Sequence, residues 1–122
     1  MMRALFIIAA LLVVGPACAK YSAHSCKASI YSVSAHGQVA KQPLISSQQV
    51  ASLAYRGVDQ FTGMGVWRIV LTPKGAKVNA LYTKSHVGGK LAVLCGGVSV
   101  GEFAIQAPSV GSFIISSNEL GP

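Results

Sequence analysis

The chain has 122 residues, of which 52% are apolar, and its ten Lys and Arg against three Asp and Glu give a net charge of +7. This length allows one domain. Charged residues make up only 11% of the chain, well below the usual value of about 25%, which argues against a charge-rich disordered tail or a long coiled coil. Because the whole chain has only three carboxylates, catalysis by a pair of acidic side chains is nearly excluded.

The N-terminus has the pattern of a secretory signal peptide. A positive start at residues 1–3 precedes eleven apolar residues at 4–14, and small residues follow Gly15 and Pro16. This order predicts a signal peptide over residues 1–19, cleaved between Ala19 and Lys20. Eleven residues of helix cover about half of a ~30 Å hydrocarbon core, so a transmembrane helix is disfavoured.

A lipoprotein signal is the competing interpretation of the same segment. Cys18 would then become the acylated first residue. Residues 15–17 lack the large apolar side chain usual three places before such a cysteine, so simple secretion is favoured. Either way the protein is expected outside the cytoplasm, in the periplasm or secreted.

Removal of residues 1–19 leaves two cysteines, Cys26 and Cys95. Disulfides persist in the compartments that exported proteins reach, so we predict that these two pair. Closing a loop of about 70 residues would contribute roughly 4 kcal/mol in the chain-entropy model. The alternative is a pair of free buried thiols that pack as small apolar groups.

The first half of residues 20–122 predicts strands joined by turns. Residues 20–44 are polar and Ser-rich and carry fewer signals than the rest. β-Branched and aromatic residues predict strands at 28–34, 51–56 and 66–71. A turn at 36–38, a helical turn at 46–50 and a Gly-rich loop at 57–65 separate them.

One helix is predicted over residues 73–87. Thr72 is a good N-cap, Pro73 suits the first helical position, and Gly88 with Gly89 provides the end. A stripe of small side chains should face a sheet while lysines on the opposite side stay in water. The stripe consists of Ala76, Ala80, Thr83 and Val87.

The second half returns to strands. Residues 91–95 form a short apolar run typical of a buried strand, and short extended pieces are predicted at 98–100, 103–105 and 111–115. We therefore predict an α+β fold, in which a small, mostly antiparallel or mixed sheet packs against one main helix. No repeat or linker divides residues 20–122, so they are predicted to form one domain.

A serine hydrolase must be considered, because residues 97–101 fit the pattern G-x-S-x-G around Ser99. That motif needs a strand before the serine, a helix after it and a later histidine. The residues after Ser99 favour a strand, and His86 is the last histidine. We therefore predict no catalytic residue.

Ligand-binding motifs are equally weak. His24 and Cys26 are the only close pair with metal-ligand chemistry, and no spacing typical of zinc sites occurs. Lys90 is followed by Leu91 where a phosphate loop needs Ser or Thr. The basic residues are scattered singly and no nucleic-acid-binding motif is present. We predict no metal, no cofactor and no nucleic-acid partner.

Five stretches of the second half resemble the head subdomain of the first periplasmic domain in the SecD/SecDF protein-export subunits. They cover the start of the predicted helix, the turn from that helix into the strand that follows it, and parts of the last predicted strands. The stretches are residues 71–77, 87–94, 97–98, 105–108 and 111–116.

The chain departs from the family at two positions. Cys95-Gly96 stands where the family usually has Asp-Gly, and Asn79 lies where a large apolar residue is frequent. The resemblance implies a sheet covered by a helix, no catalytic residues and contact with extended or unfolded polypeptides. The expected protein is a non-enzymatic exported module that binds polypeptides or assists protein export. The alternative is an accessory secreted or envelope protein with one specific partner.

Overall fold

A computed structural model describes residues 21, 22 and 25–121. The predictions made for the signal peptide, for Cys18, for the Ala19–Lys20 cleavage site and for His24 lie outside these residues. The described part contains eight strands, a 3₁₀ turn at Ser47–Gln49 and the helix α1 at Pro73–Ser85. The strands are β1 Tyr21–Ser22, β2 Ala28–Val33, β3 Val50–Val58, β4 Gly65–Leu71, β5 Lys90–Cys95, β6 Val98–Ala104, β7 Ser112–Ser117 and β8 Leu120–Gly121.

The strands form two antiparallel sheets and one short parallel ribbon. The first sheet has the order β2-β5-β6, the second has the order β3-β4-β7, and β1 pairs with β8. The predicted α+β class is confirmed. The two separate pieces predicted at 98–100 and 103–105 are one strand, β6, with a register shift opposite Val93 and Leu94.

The apolar core lies between the two sheets. Every second residue of the central strands points into it, including Ile69 of β4 and Leu91 and Val93 of β5, all fully buried. Each such side chain contributes about 1.5–3 kcal/mol when it leaves water. Ala92 and Leu94, on the other face of β5, are buried too. The continuous apolar run of this strand therefore matches its central position in the sheet.

Helix α1 begins as the sequence predicts. Thr72 caps it by accepting a hydrogen bond from Gly75 N–H at 3.2 Å, and Pro73 is the first helical residue. The helix ends at Ser85, so the predicted end at 87 is two residues too late. Among the described residues, no helix combines the length and the hydrophobicity that a membrane span needs.

The predicted stripe of small side chains is partly wrong. Val87 lies beyond the helix and is 53% exposed. The buried residues of α1 are Gly75, Asn79 and Thr83. Asn79 Nδ2 donates to the backbone oxygens of Ser109 and Val110, each at 3.1 Å. The helix therefore packs against the polar backbone of the β6–β7 connection. The carbonyl groups there need hydrogen-bond donors, which an apolar stripe would not supply.

Cys26 and Cys95 form a disulfide, with 5.0 Å between their Cα atoms. Cys26 lies two residues before the start of β2. Cys95 is the last residue of β5 and pairs there with Ala28, the first residue of β2. The disulfide ties together two segments 69 residues apart in the sequence. The beginning of β2 is thereby held at one end of the first sheet.

Candidate functional site

Ser99 lies in a strand and not at a nucleophile elbow. Gly96 and Gly97 have positive φ values of 59° and 90° and turn the chain between β5 and β6. Ser99 then pairs with Leu94 within the sheet. A nucleophile elbow needs a helix directly after the serine. The glycines therefore serve a tight hairpin turn, where left-handed backbone is required.

Metal-binding residues are not brought together in residues 25–121. This part of the chain holds no group of three or more His, Cys, Asp or Glu side chains that could bind a metal ion. Cys26 is engaged in the disulfide and so offers no thiolate. His24 lies outside the described residues.

A groove lies between the beginnings of β2 and β3. Residues 26–28 form one side, residues 50–53 form the other, and Ser47 and Gln48 complete the lining. The groove encloses about 460 Å³, within the usual range of about 300–1,000 Å³ for ligand clefts. On its β3 side, Ala51 and Ser52 are exposed.

The 3₁₀ turn beside the groove is held by several hydrogen bonds. Gln49 Oε1 accepts from Ser46 N–H at 3.2 Å, which closes a capping box. Gln49 O accepts from Thr72 N–H at 2.9 Å and from Thr72 Oγ1 at 3.2 Å. The disulfide holds the opposite side through Cys26. Both walls of the groove are therefore positioned by the fold rather than by a mobile loop.

Gly75 allows α1 to approach this turn. A Cβ atom added at Gly75 would lie 2.6 Å from Gln49 O and 3.1 Å from Gln49 Cβ. The first contact is too short for any real side chain. Glycine is required here for close packing and not for unusual backbone, since its φ is not positive.

The outer side of β3 has no partner strand among the residues that the structure describes. β3 pairs only with β4. Its register shifts at Ala51 and at Arg56, which leaves a regular stretch from Ser52 to Tyr55. Six of its nine residues are exposed. An unpaired edge presents backbone donors and acceptors that an extended chain can use.

The outer strands of the two three-stranded sheets other than β3 make contacts along their outer sides within the described residues. Residues 38–45, the covering segment, bond to β2 through Ala40 N–H to Ser32 O and Ile30 N–H to Ile45 O, both at 2.9 Å. The edges of β6 and β7 lie against each other, and Ser117 Oγ donates to Val100 O. β3 is therefore the one long strand of residues 25–121 whose outer side is open.

Charge is unevenly placed around the groove. Lys27 is exposed on its wall, and no carboxylate is among the lining residues. Asp59 accepts from Phe61 N–H at the far end of β3, at 2.7 Å. Glu102 faces Lys90 on the first sheet at 4.0 Å. The groove is thus a locally basic part of a basic protein.

Sequence reasoning placed a strand at 51–56 and a helical turn at 46–50 but did not identify the groove. The groove depends on which strand lies at a sheet edge, and strand order is not encoded in any local pattern. One signal was available in the composition of this strand. Ala51, Ser52 and Ala54 are small or polar, as expected for a strand with one exposed side.

The fold is shared with solved structures of SecDF. One, of SecDF described as a membrane component that enhances protein export, superposes with a TM-score of 0.55 and 26% identity, over 67% of this chain and 36% of that chain. A second, of SecDF in a super-membrane-facing form, gives a TM-score of 0.56 and 24% identity over 67% and 11% of the chains. No protein-family model and no curated protein match the sequence. The chain has a SecD-like periplasmic domain fold and spans only part of the proteins it resembles.

Proposed function

We propose that this protein is an exported, non-enzymatic module that binds other polypeptides and assists protein export or the handling of envelope proteins. The observation that carries the proposal is the open edge of β3 beside the groove at residues 26–28 and 47–53. Edge strands bind extended chains through main-chain hydrogen bonds, which suits clients of varied sequence. The disulfide and the SecD-like fold support a location outside the cytoplasm.

The similarity to SecDF alone does not define the activity, because one fold serves many functions. Proton-driven translocation is not part of the proposal. Polypeptide binding is proposed because the resemblance and the open edge, two independent features, point to the same kind of ligand.

The test is a titration of the purified protein against an unfolded, reduced model protein, followed by fluorescence anisotropy. We expect saturable binding at micromolar concentrations and no binding to the same model protein when it is folded. The proposal fails if the unfolded protein does not bind at high micromolar concentration.

A second candidate is an accessory secreted or envelope protein that binds one specific partner. The β3–β4 hairpin favours it, because Phe61 is 90% exposed and Val58 is 61% exposed at its tip. Exposed large apolar side chains that are close in the chain can mark an interaction site. Co-purification separates the two candidates, since one stoichiometric partner supports the second and many weakly bound clients support the first.

A further inference from the structure

The regular stretch of β3 limits how much of a partner chain can add to its edge. Register shifts at Ala51 and Arg56 bracket the four residues Ser52 to Tyr55. Bulges bend a strand and interrupt its ladder. An added strand therefore has about four residues of regular backbone to pair with, and a longer partner would have to leave the edge on either side.

The groove beside this stretch is lined in part by small side chains. Ala28 lies on one wall, and Ala51 and Ser52 lie on the other. Leu53 contributes a partly buried apolar surface that packs on the core. In an extended chain, alternate side chains point to the same face. A strand on the edge of β3 would thus direct every second side chain toward the groove.

Lys27 gives this groove a charge preference. Its side chain is exposed and makes no hydrogen bond or ion pair with the described residues. No carboxylate lines the groove, so an acidic side chain entering it would meet a cation and no like charge. A basic side chain would be repelled by Lys27 and by the overall positive charge of the protein, which is +7.

We infer that the edge of β3 from Ser52 to Tyr55 binds a short extended segment by strand addition, and that the segment carries an acidic side chain placed against Lys27. This inference rests on the proposed function and identifies the site and the preferred ligand. The partner is an acidic, extended stretch of another polypeptide.

The experiment uses the purified full chain and fluorescent eight-residue peptides of alternating Val and Thr. One peptide has two Asp at alternate positions on one face, and its match has Lys at the same positions. We expect the Asp peptide to bind up to about fivefold more tightly, since an exposed ion pair contributes up to about 1 kcal/mol. Raising the salt concentration should reduce this ratio.

Charge reversal at Lys27 tests the position of the acidic side chain. Lys27→Glu should remove the preference for the Asp peptide. Lys41→Glu is the matched control, because Lys41 is also exposed but lies in the covering segment, away from the groove. It makes the same change in net charge and should leave most of the preference in place. Equal effects of the two variants would overturn the assignment to Lys27.

Backbone methylation tests strand addition. Two Asp peptides carry N-methyl groups on complementary sets of alternate residues, so that only one set blocks the amides facing β3. We expect one peptide to lose binding at least tenfold and the other to bind nearly as the parent does. Equal binding of all three peptides would overturn strand addition.

The outcomes separate this inference from the proposed function. If unfolded protein binds but the Asp and Lys peptides bind equally, the inference is wrong and polypeptide binding stands. If neither peptide nor unfolded protein binds, both are wrong. A stable dimer whose β3 amides are protected from hydrogen exchange without peptide would also overturn the inference, because a second copy would then occupy the edge.

Discussion

The outer edge of β2 is covered and the outer edge of β3 is open, although both strands begin beside the same groove. The covering segment bonds to the backbone of β2 at several points, and Ile45 is fully buried in the core. β3 has a partner on one side only within residues 25–121. The contrast indicates which edge is structural and which is available for binding.

The open edge is nevertheless restrained. Unpaired edges invite aggregation, and natural proteins limit them with bulges, charges and short regular stretches. β3 has two register shifts, an exposed Arg56, and Gly57 with a φ of 117° next to the second shift. These features leave a short site for a partner and disfavour extended pairing between copies.

Removing the disulfide should have the largest effect on this comparison, because it holds the beginning of β2. We expect the double variant Cys26→Ser and Cys95→Ser to lose about 4 kcal/mol of unfolding free energy, measured by chemical denaturation. Reductant added to the parent protein should reproduce the loss. Detection of free thiols at Cys26 and Cys95 by alkylation of the denatured, unreduced protein would contradict the pairing.

Shortening the side chain of Ile45, in the covering segment, tests the covered edge of β2. Ile45→Ala should lower the free energy of unfolding by about 3 kcal/mol, since it leaves a cavity at a fully buried position. Hydrogen exchange at β2 should rise, while exchange along β3 should change only by the overall loss of stability. A cost below about 1 kcal/mol would show that the covering segment is not part of the core.

Gly75→Ala tests how closely α1 approaches the turn beside the groove. In an ordinary helix this change stabilises by about 1 kcal/mol. Here the new Cβ would clash with Gln49 O, so we expect a loss of about 1–2 kcal/mol instead. Thermal unfolding measures the sign. Ala76→Gly, in the same helix, is the comparison and should destabilise through helix propensity and through loss of a methyl group that packs on the core.

The smallest effect is expected at the exposed end of β3, beside the tip of the β3–β4 hairpin. Val58→Ala should change the free energy of unfolding by less than about 0.5 kcal/mol, because Val58 is 61% exposed. The contrast with Ile45→Ala compares an exposed position on β3 with a buried position in the covering segment. A loss of 2 kcal/mol or more in the same denaturation experiment would show that this end of β3 is packed in solution.

Much of the secondary structure was predictable because its signals are local. Thr72 and Pro73 mark the start of α1 through their own backbone and side-chain chemistry. The predicted loop at 57–65 was too long, since β3 continues to Val58 and β4 begins at Gly65. The β1–β8 pair was missed, because two-residue strands separated by almost the whole domain leave no periodic pattern.

The low number of carboxylates, the buried strand at residues 91–95 and the start of the helix can be read from the sequence. These follow from composition and from contacts between residues close in the chain. The fold was needed to show that Asn79 faces the carbonyls of Ser109 and Val110 and that β3 is an open edge. Those facts depend on which distant segments meet, and backbone groups must find partners wherever the chain places them.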